Sequence, residues 1–96
     1  PTIGKDCTHV WHLFVILAEQ RDALKTYLAE QGIATLIHYP LPPHLQAAYA
    51  ALGLQPGQFP IAEELAQKCL SLPLYPGMPI AHVANVAAAI RAFYFS

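Results

Sequence analysis

The sequence predicts a mixed α/β fold of the α+β kind. We expect a split β-α-β, three-stranded mixed sheet with helices on one face, in the order β-α-β-α-α-β-α. Three observations carry this expectation. Residues 9–17 (HVWHLFVIL) form an uncharged run rich in aromatic and β-branched residues, which suits a strand covered on both faces. A polar helical stretch and a second β-branched run, residues 33–37, follow within a span that fits one β-α-β crossover. The chain ends in a long stretch with apolar residues at three- and four-residue spacing.

Each element has its own signals. After the first run, Glu19, Gln20, Arg21 and Asp22 open a helix expected to reach Gln31, with Leu24, Tyr27 and Leu28 on one face. Gly32 stands where a left-handed C-terminal cap belongs. Residues 33–37 (IATLI) read as a strand parallel to the first. The segment from His38 to Pro43 holds three prolines in six positions, which excludes regular helix and central strand and leaves a stiffened loop. Pro43 suits the start of a helix through Tyr49, stopping at Gly53. Pro60 suits a second start, with Ala62, Leu65, Ala66 and Cys69 inward and a Glu64–Lys68 pair outward. Residues 71–75 (SLPLY) read as a short strand, expected between the other two and antiparallel to them. A turn at Pro76 and Gly77 leads to the last helix, residues 80–95, with Ile80, Val83, Val86 or Ala87, Ile90 and Phe93 inward.

Composition bounds the function. At 96 residues the chain suits one domain, residues 1–96. Apolar residues make up 55%, above the usual proportion of about 45–50%. Charged residues are only 11%, against roughly 25% in an average protein. Disorder needs the opposite balance and is excluded. Lys plus Arg number 5 and the net charge is −1, so no basic face for nucleic acid is expected. Prolines interrupt the long uncharged stretch 31–62, leaving no window of the ~18 apolar residues a membrane helix needs. Residues 1–6 lack the pattern of a signal peptide. Cys7 and Cys69 have no metal or disulfide spacing, which suits reduced thiols in a cytoplasmic setting. So little charge on so small a chain leads us to expect one domain of a larger protein.

The chemistry-bearing residues do not add up to an active site. The lysines Lys5, Lys25 and Lys68 fall in the leading tail or on water-facing helix positions, where nothing depresses a pKa for Schiff-base work. No Gly-rich phosphate loop or nucleophile motif is present, so catalytic and cofactor-binding residues are expected to be none. The histidines do not form a ligand set: His9 and His12 fall on opposite faces of a strand, and His38 and His44 lack a third partner. No metal is expected. His12, beside Trp11 and Phe14, reads as a core histidine. One segment differs in kind: His38 and Tyr39 place an imidazole and a phenol at the carboxyl end of a strand, where α/β folds tend to bind ligands, and prolines preorganise them.

These residues also carry a resemblance. His9 to Ile16, then Arg21 to Leu24 with Leu28, then Gly32 to Pro40 follow one order, continued by His44-Leu45-Gln46, Tyr49, Phe59-Pro60, Ala62-Glu63 and Ser71 to Pro76. Together they resemble the C-terminal small domain of the DegT/DnrJ/EryC1/StrS aminotransferases. The resemblance implies a pyridoxal-phosphate enzyme of fold type I that moves an amino group from glutamate or glutamine to a nucleotide-linked keto-sugar. It implies that the Schiff-base lysine and phosphate site lie in an N-terminal catalytic domain absent from this chain. It further implies that the intact enzyme is a homodimer, and that these 96 residues alone bind no pyridoxal phosphate. Among candidate substrate contacts it points to His38 and Tyr39, with His44 and His12 at recurrent family positions. Leu17 departs from the family, which often has Arg or a polar residue there, and Leu41-Pro42-Pro43 varies the usual loop. The alternative is a stand-alone ferredoxin-like module that binds or senses a small ligand through the His38 loop.

Overall fold

A computed structural model describes all 96 residues. Its elements are β1 (Phe14–Leu17), α1 (Arg21–Glu30), two 3-10 turns (Pro43–Leu45 and Ala47–Leu52), α2 (Pro60–Lys68), β2 (Cys69–Leu72) and α3 (Ile80–Phe95). β1 and β2 pair antiparallel, Phe14 opposite Leu72 and Leu17 opposite Cys69. On the free edge of β2, Leu36 makes one antiparallel bridge to Ser71. β2 is therefore central, between β1 and the segment at 33–37, which runs parallel to β1.

The expected three-stranded sheet is thus two strands and a single bridge. Proline explains the shortfall. In the register set by Leu36 and Ser71, the next hydrogen-bonded partner toward the turn is Pro73, which has no N–H to donate. In the other direction the chain leaves the sheet at His38 and Tyr39 for the proline loop. The strand expected over 9–17 begins only at Phe14, where pairing with Leu72 of β2 starts. His12 is exposed rather than in the core, and His9 stacks on Trp11 at 3.9 Å instead of pairing in a sheet.

Helix ends follow local chemistry more closely. Gly32 takes φ +77°, its N–H bonds to Ala29 O, and the Ile33 N–H reaches Leu28 O. This is a Schellman closure, and it needs a residue without a Cβ penalty at Gly32. α3 spans the residues expected of it. The helix expected over 43–53 is instead two 3-10 turns, joined at Gln46, whose extended backbone (φ −74°, ψ 147°) interrupts any α-helical ladder. α2 ends at Lys68, so Cys69 opens β2 rather than completing the helix.

The core lies on one sheet face. Leu24 and Leu28 of α1 and Leu70 of β2 are fully buried, with Ala18 beside them, and Ile90 and Phe93 of α3 pack against the group. Ile80 and Val83 were expected inward but are exposed, because the first turns of α3 run past the short sheet. The other face carries Val15, Leu17, Cys69 and Ser71 by strand alternation. α2 flanks that face: Ala62 and Leu65 line one cavity with Val15 and Leu17. Helices therefore lie on both sides, where a single covered face was expected.

Candidate functional site

The second face holds a cavity of about 330 Å³, at the small end of ligand pockets. Val15, Leu17 and Cys69 form its floor, Ala62 and Leu65 its α2 wall, and His38, Tyr39 and Leu41 its rim. The rim is stiff for reasons visible in the sequence. Pro40, Pro42 and Pro43 restrict the backbone, Pro42 is buried, and Gln46 Nε2 donates to Leu41 O at 3.2 Å. The peptide bond between His38 and Tyr39 is cis.

His38 is half-buried, and its Nδ1 lies 2.8 Å from Ser71 Oγ. Its ring meets the Tyr39 ring edge to face at 5.3 Å. Tyr39 is 69% exposed, its phenol free at the mouth of the cavity. His38 and Tyr39, neighbours in the chain, both line this cavity.

His44 is turned away from them. It is buried, its ring packs against Phe59 at 4.8 Å, and its Nε2 lies 3.6 Å from Glu63 Oε2. That distance is too long for a hydrogen bond. The Glu63 carboxylate is already occupied by the N–H groups of Gly57 (2.8 Å) and Phe59 (3.2 Å), which closes the start of α2. His44 sits beneath the loop and does not line the cavity.

Two residues of this region escaped the reading of the sequence. Ser71 looked like one strand residue of SLPLY, yet it is buried with its hydroxyl on His38. Arg21 stood out only as part of a polar helix start, yet it is only 8% exposed. Its Nη1 donates to Ala66 O and Cys69 O, each at 3.0 Å, and its Nε to Asp22 Oδ1 at 2.7 Å. No local pattern could reveal either, since the partners lie 33 to 48 residues away.

The lysines do not fit a carbonyl cofactor. Lys68 is tied to Glu19 (2.6 Å) and Glu64 (2.9 Å), and the hydrogen bond to Glu19, then that to Glu64, hold its ammonium above the ordinary lysine range. Schiff-base chemistry needs the reverse. Lys5 is exposed in the tail and Lys25 is half-buried on α1.

A larger cleft of about 540 Å³ lies between the end of α1 and α3, where Tyr75 Oη and His82 Nδ1 meet at 3.0 Å. Both residues are exposed, and the contact ties the turn after β2 to α3. No buried polar side chain lines either cavity, but the half-buried His38 of the smaller one is held at 2.8 Å by the buried Ser71 hydroxyl, which makes it the better-built site.

Fold and cavity together define a small α/β domain with one sheet face open beneath a proline-stiffened His-Tyr loop. The chain belongs to the DegT/DnrJ/EryC1/StrS aminotransferase family, whose model matches residues 1–91. It is 46% identical over 93 residues to a dTDP-3-amino-3,6-dideoxy-alpha-D-galactopyranose transaminase of Aneurinibacillus thermoaerophilus, covering 97% of this chain and 25% of that protein. It is 51% identical over 82 residues to the erythromycin biosynthesis sensory transduction protein EryC1 of Saccharopolyspora erythraea, covering 85% and 22%. The crystal structure of S. venezuelae DesV in complex with a ketimine intermediate superposes with a TM-score of 0.93 at 40% identity, over all of this chain and 26% of that one. The chain spans about a quarter of the length of the relatives it matches. No helix is long and apolar enough to cross a membrane.

Proposed function

We propose that residues 1–96 are the C-terminal small domain of a pyridoxal-phosphate-dependent aminotransferase that aminates a nucleotide-linked keto-sugar. In this reading the domain encloses the substrate. The observation that carries it is the pairing of His38 and Tyr39 at the mouth of the apolar cavity. An imidazole and a phenol can hydrogen-bond the oxygens of a sugar or phosphate, and Leu17, Leu41 and Leu65 exclude water around them. His44 serves the same contact indirectly, by packing under the loop that carries the pair.

The cofactor in this reading is held by the rest of the enzyme, because none of the three lysines lines the His38 cavity and Lys68 is tied to Glu19 and Glu64. Its chemistry is stabilisation of the carbanion formed during amino transfer. Glutamate or glutamine is the amino donor, the catalytic domain and a second subunit are the protein partners, and the enzyme works in the cytoplasm.

The test is made in the full-length enzyme. His38→Ala should raise KM for the nucleotide-sugar about tenfold, the loss of one good polar contact, and leave cofactor absorbance unchanged. Loss of the cofactor band, or an unchanged KM, would refute this role.

A further inference from the structure

We infer that Ser71 is a positioning residue: it holds the His38 ring in place and fixes its neutral form as the Nε2–H tautomer, so that His38 offers its ligand a hydrogen-bond donor at Nε2. The inference rests on the proposed role of the cavity and adds what His38 offers there.

Ser71 is the one residue of β2 held on both edges. It stands opposite Val15 in the β1 register, and it exchanges two backbone bonds with Leu36, N–H to O at 2.7 Å and 3.2 Å. Strand alternation turns its side chain to the same face as Cys69, toward the cavity. A hydroxyl so placed has little freedom beyond rotation of its own hydrogen.

Hydrogen counting assigns the proton. Ser71 is 5% exposed, and His38 Nδ1, at 2.8 Å, is the only hydrogen-bond partner of its Oγ. If Nδ1 carried the proton and donated to Oγ, the hydroxyl hydrogen would be left buried without an acceptor. Buried donors are rarely left so, because an unmade bond costs more than a made one returns. If the hydroxyl donates to Nδ1, every hydrogen of the pair is used. The ring proton then sits on Nε2, which makes no hydrogen bond within the chain and is free for a ligand. A donor at Nε2 selects an acceptor oxygen: a hydroxyl, carbonyl or phosphate oxygen of the substrate.

The experiment uses the full-length enzyme with ¹⁵N-labelled histidine, the His38 signals identified by their absence in His38→Asn. Neutral His38 should show its proton on Nε2. Ser71→Ala should raise KM for the nucleotide-sugar three- to tenfold, with little change in kcat or in KM for the amino donor, and Ser71→Thr, which keeps the hydroxyl, should restore it. If Ser71→Ala misfolds, the nitrogen spectrum of the wild type still decides the tautomer. A proton on Nδ1 overturns the assignment, whatever the kinetics. A normal KM in Ser71→Ala alongside a raised one in His38→Ala overturns Ser71 as the positioning residue and spares the reading of the cavity. A normal KM in His38→Ala overturns that reading, while the tautomer still answers to the spectrum.

Discussion

A buried guanidinium joins α1 to the junction of α2 and β2. Arg21 Nη1 takes the carbonyls of Ala66 and Cys69, two acceptors at the end of α2 that the helix itself leaves unpaired. The positive charge also suits the negative end of the helix dipole. Hydrogen bonds from a charged donor are worth more than neutral ones, and here both are shielded from water. Arg21→Ala should therefore lower stability by about 2–4 kcal/mol in urea denaturation, with an unchanged m-value. Arg21→Lys should recover less than half, since an ammonium lacks the planar fork that reaches Asp22 and both carbonyls together. A loss under about 0.5 kcal/mol, as at an ordinary surface site, would show that the buried bonds contribute nothing net. The residue scale also marks what the sequence could not show. His38 and Tyr39 were legible because prolines next to them announce a stiff loop. Ser71 and Arg21 were not, because each is defined by a partner brought near only by the fold. His44 was legible only as a residue of an expected helix at a recurrent family position, and its burial against Phe59 and Glu63 depends on how the two 3-10 turns fold back.

Elements were readable where their signals are local. The left-handed Gly32 cap, the Pro60 start of α2 and the whole of α3 follow from neighbours within one turn. Strands were not, because a strand exists only where a partner can answer its hydrogen bonds. Pro73 withholds that answer from residues 33–35, and residues 9–13 meet no partner strand, apolar and β-branched as they are. A second consequence at this scale is electrostatic. Glu19, just after β1, ties that strand to α2 through Lys68 (2.6 Å), and its carbonyl accepts the Tyr94 hydroxyl of α3 (2.6 Å). Lys68 is raised, first by the hydrogen bond to Glu19. Tyr94 is raised too, first by burial and then by the Glu19 charge. Both groups hold their protons more tightly in the folded state. Their contribution to stability is full below their unfolded values, near pH 10, and is lost as pH rises through the folded ones. Melting temperature should hold steady up to about pH 10 and fall as pH rises beyond it, and fall less in Glu19→Gln, which removes the main cause for Lys68 and one of two for Tyr94. Identical slopes in the two proteins would show that Glu19 does not couple these elements.

On the scale of the whole molecule, the surface is too large for the chain. Its accessible area is 7113 Å², where a free-standing protein of 10.5 kDa should expose about 5,400 Å². The radius of gyration is 15.9 Å, against about 12.5 Å for a compact domain of this length. Only 12 of 96 residues are buried. Part of the excess is the extended stretch before Phe14, but much of it is apolar. Leu17 is 57% exposed and Tyr39 69%, and Leu41 and Leu65 complete that patch around the cavity. A second apolar groove of about 360 Å³ runs between Trp11, Phe14 and Leu74 on one side and Val83 and Ile90 of α3 on the other. The charge is too sparse, at 11% of residues, to screen either one. A stand-alone binding module would cover these faces or line them with charge; a domain seated against a larger partner needs neither. The 96-residue chain by itself should therefore associate as its concentration rises and should bind a dye that reports apolar surface. Placing charge in the patch, as Leu17→Lys with Leu65→Glu, should reduce both effects and leave the core of Leu24, Leu28 and Leu70 untouched. Sedimentation velocity across a hundredfold range of concentration decides the matter: a single monomeric boundary throughout, with no dye signal, would mean that these faces do not need a partner.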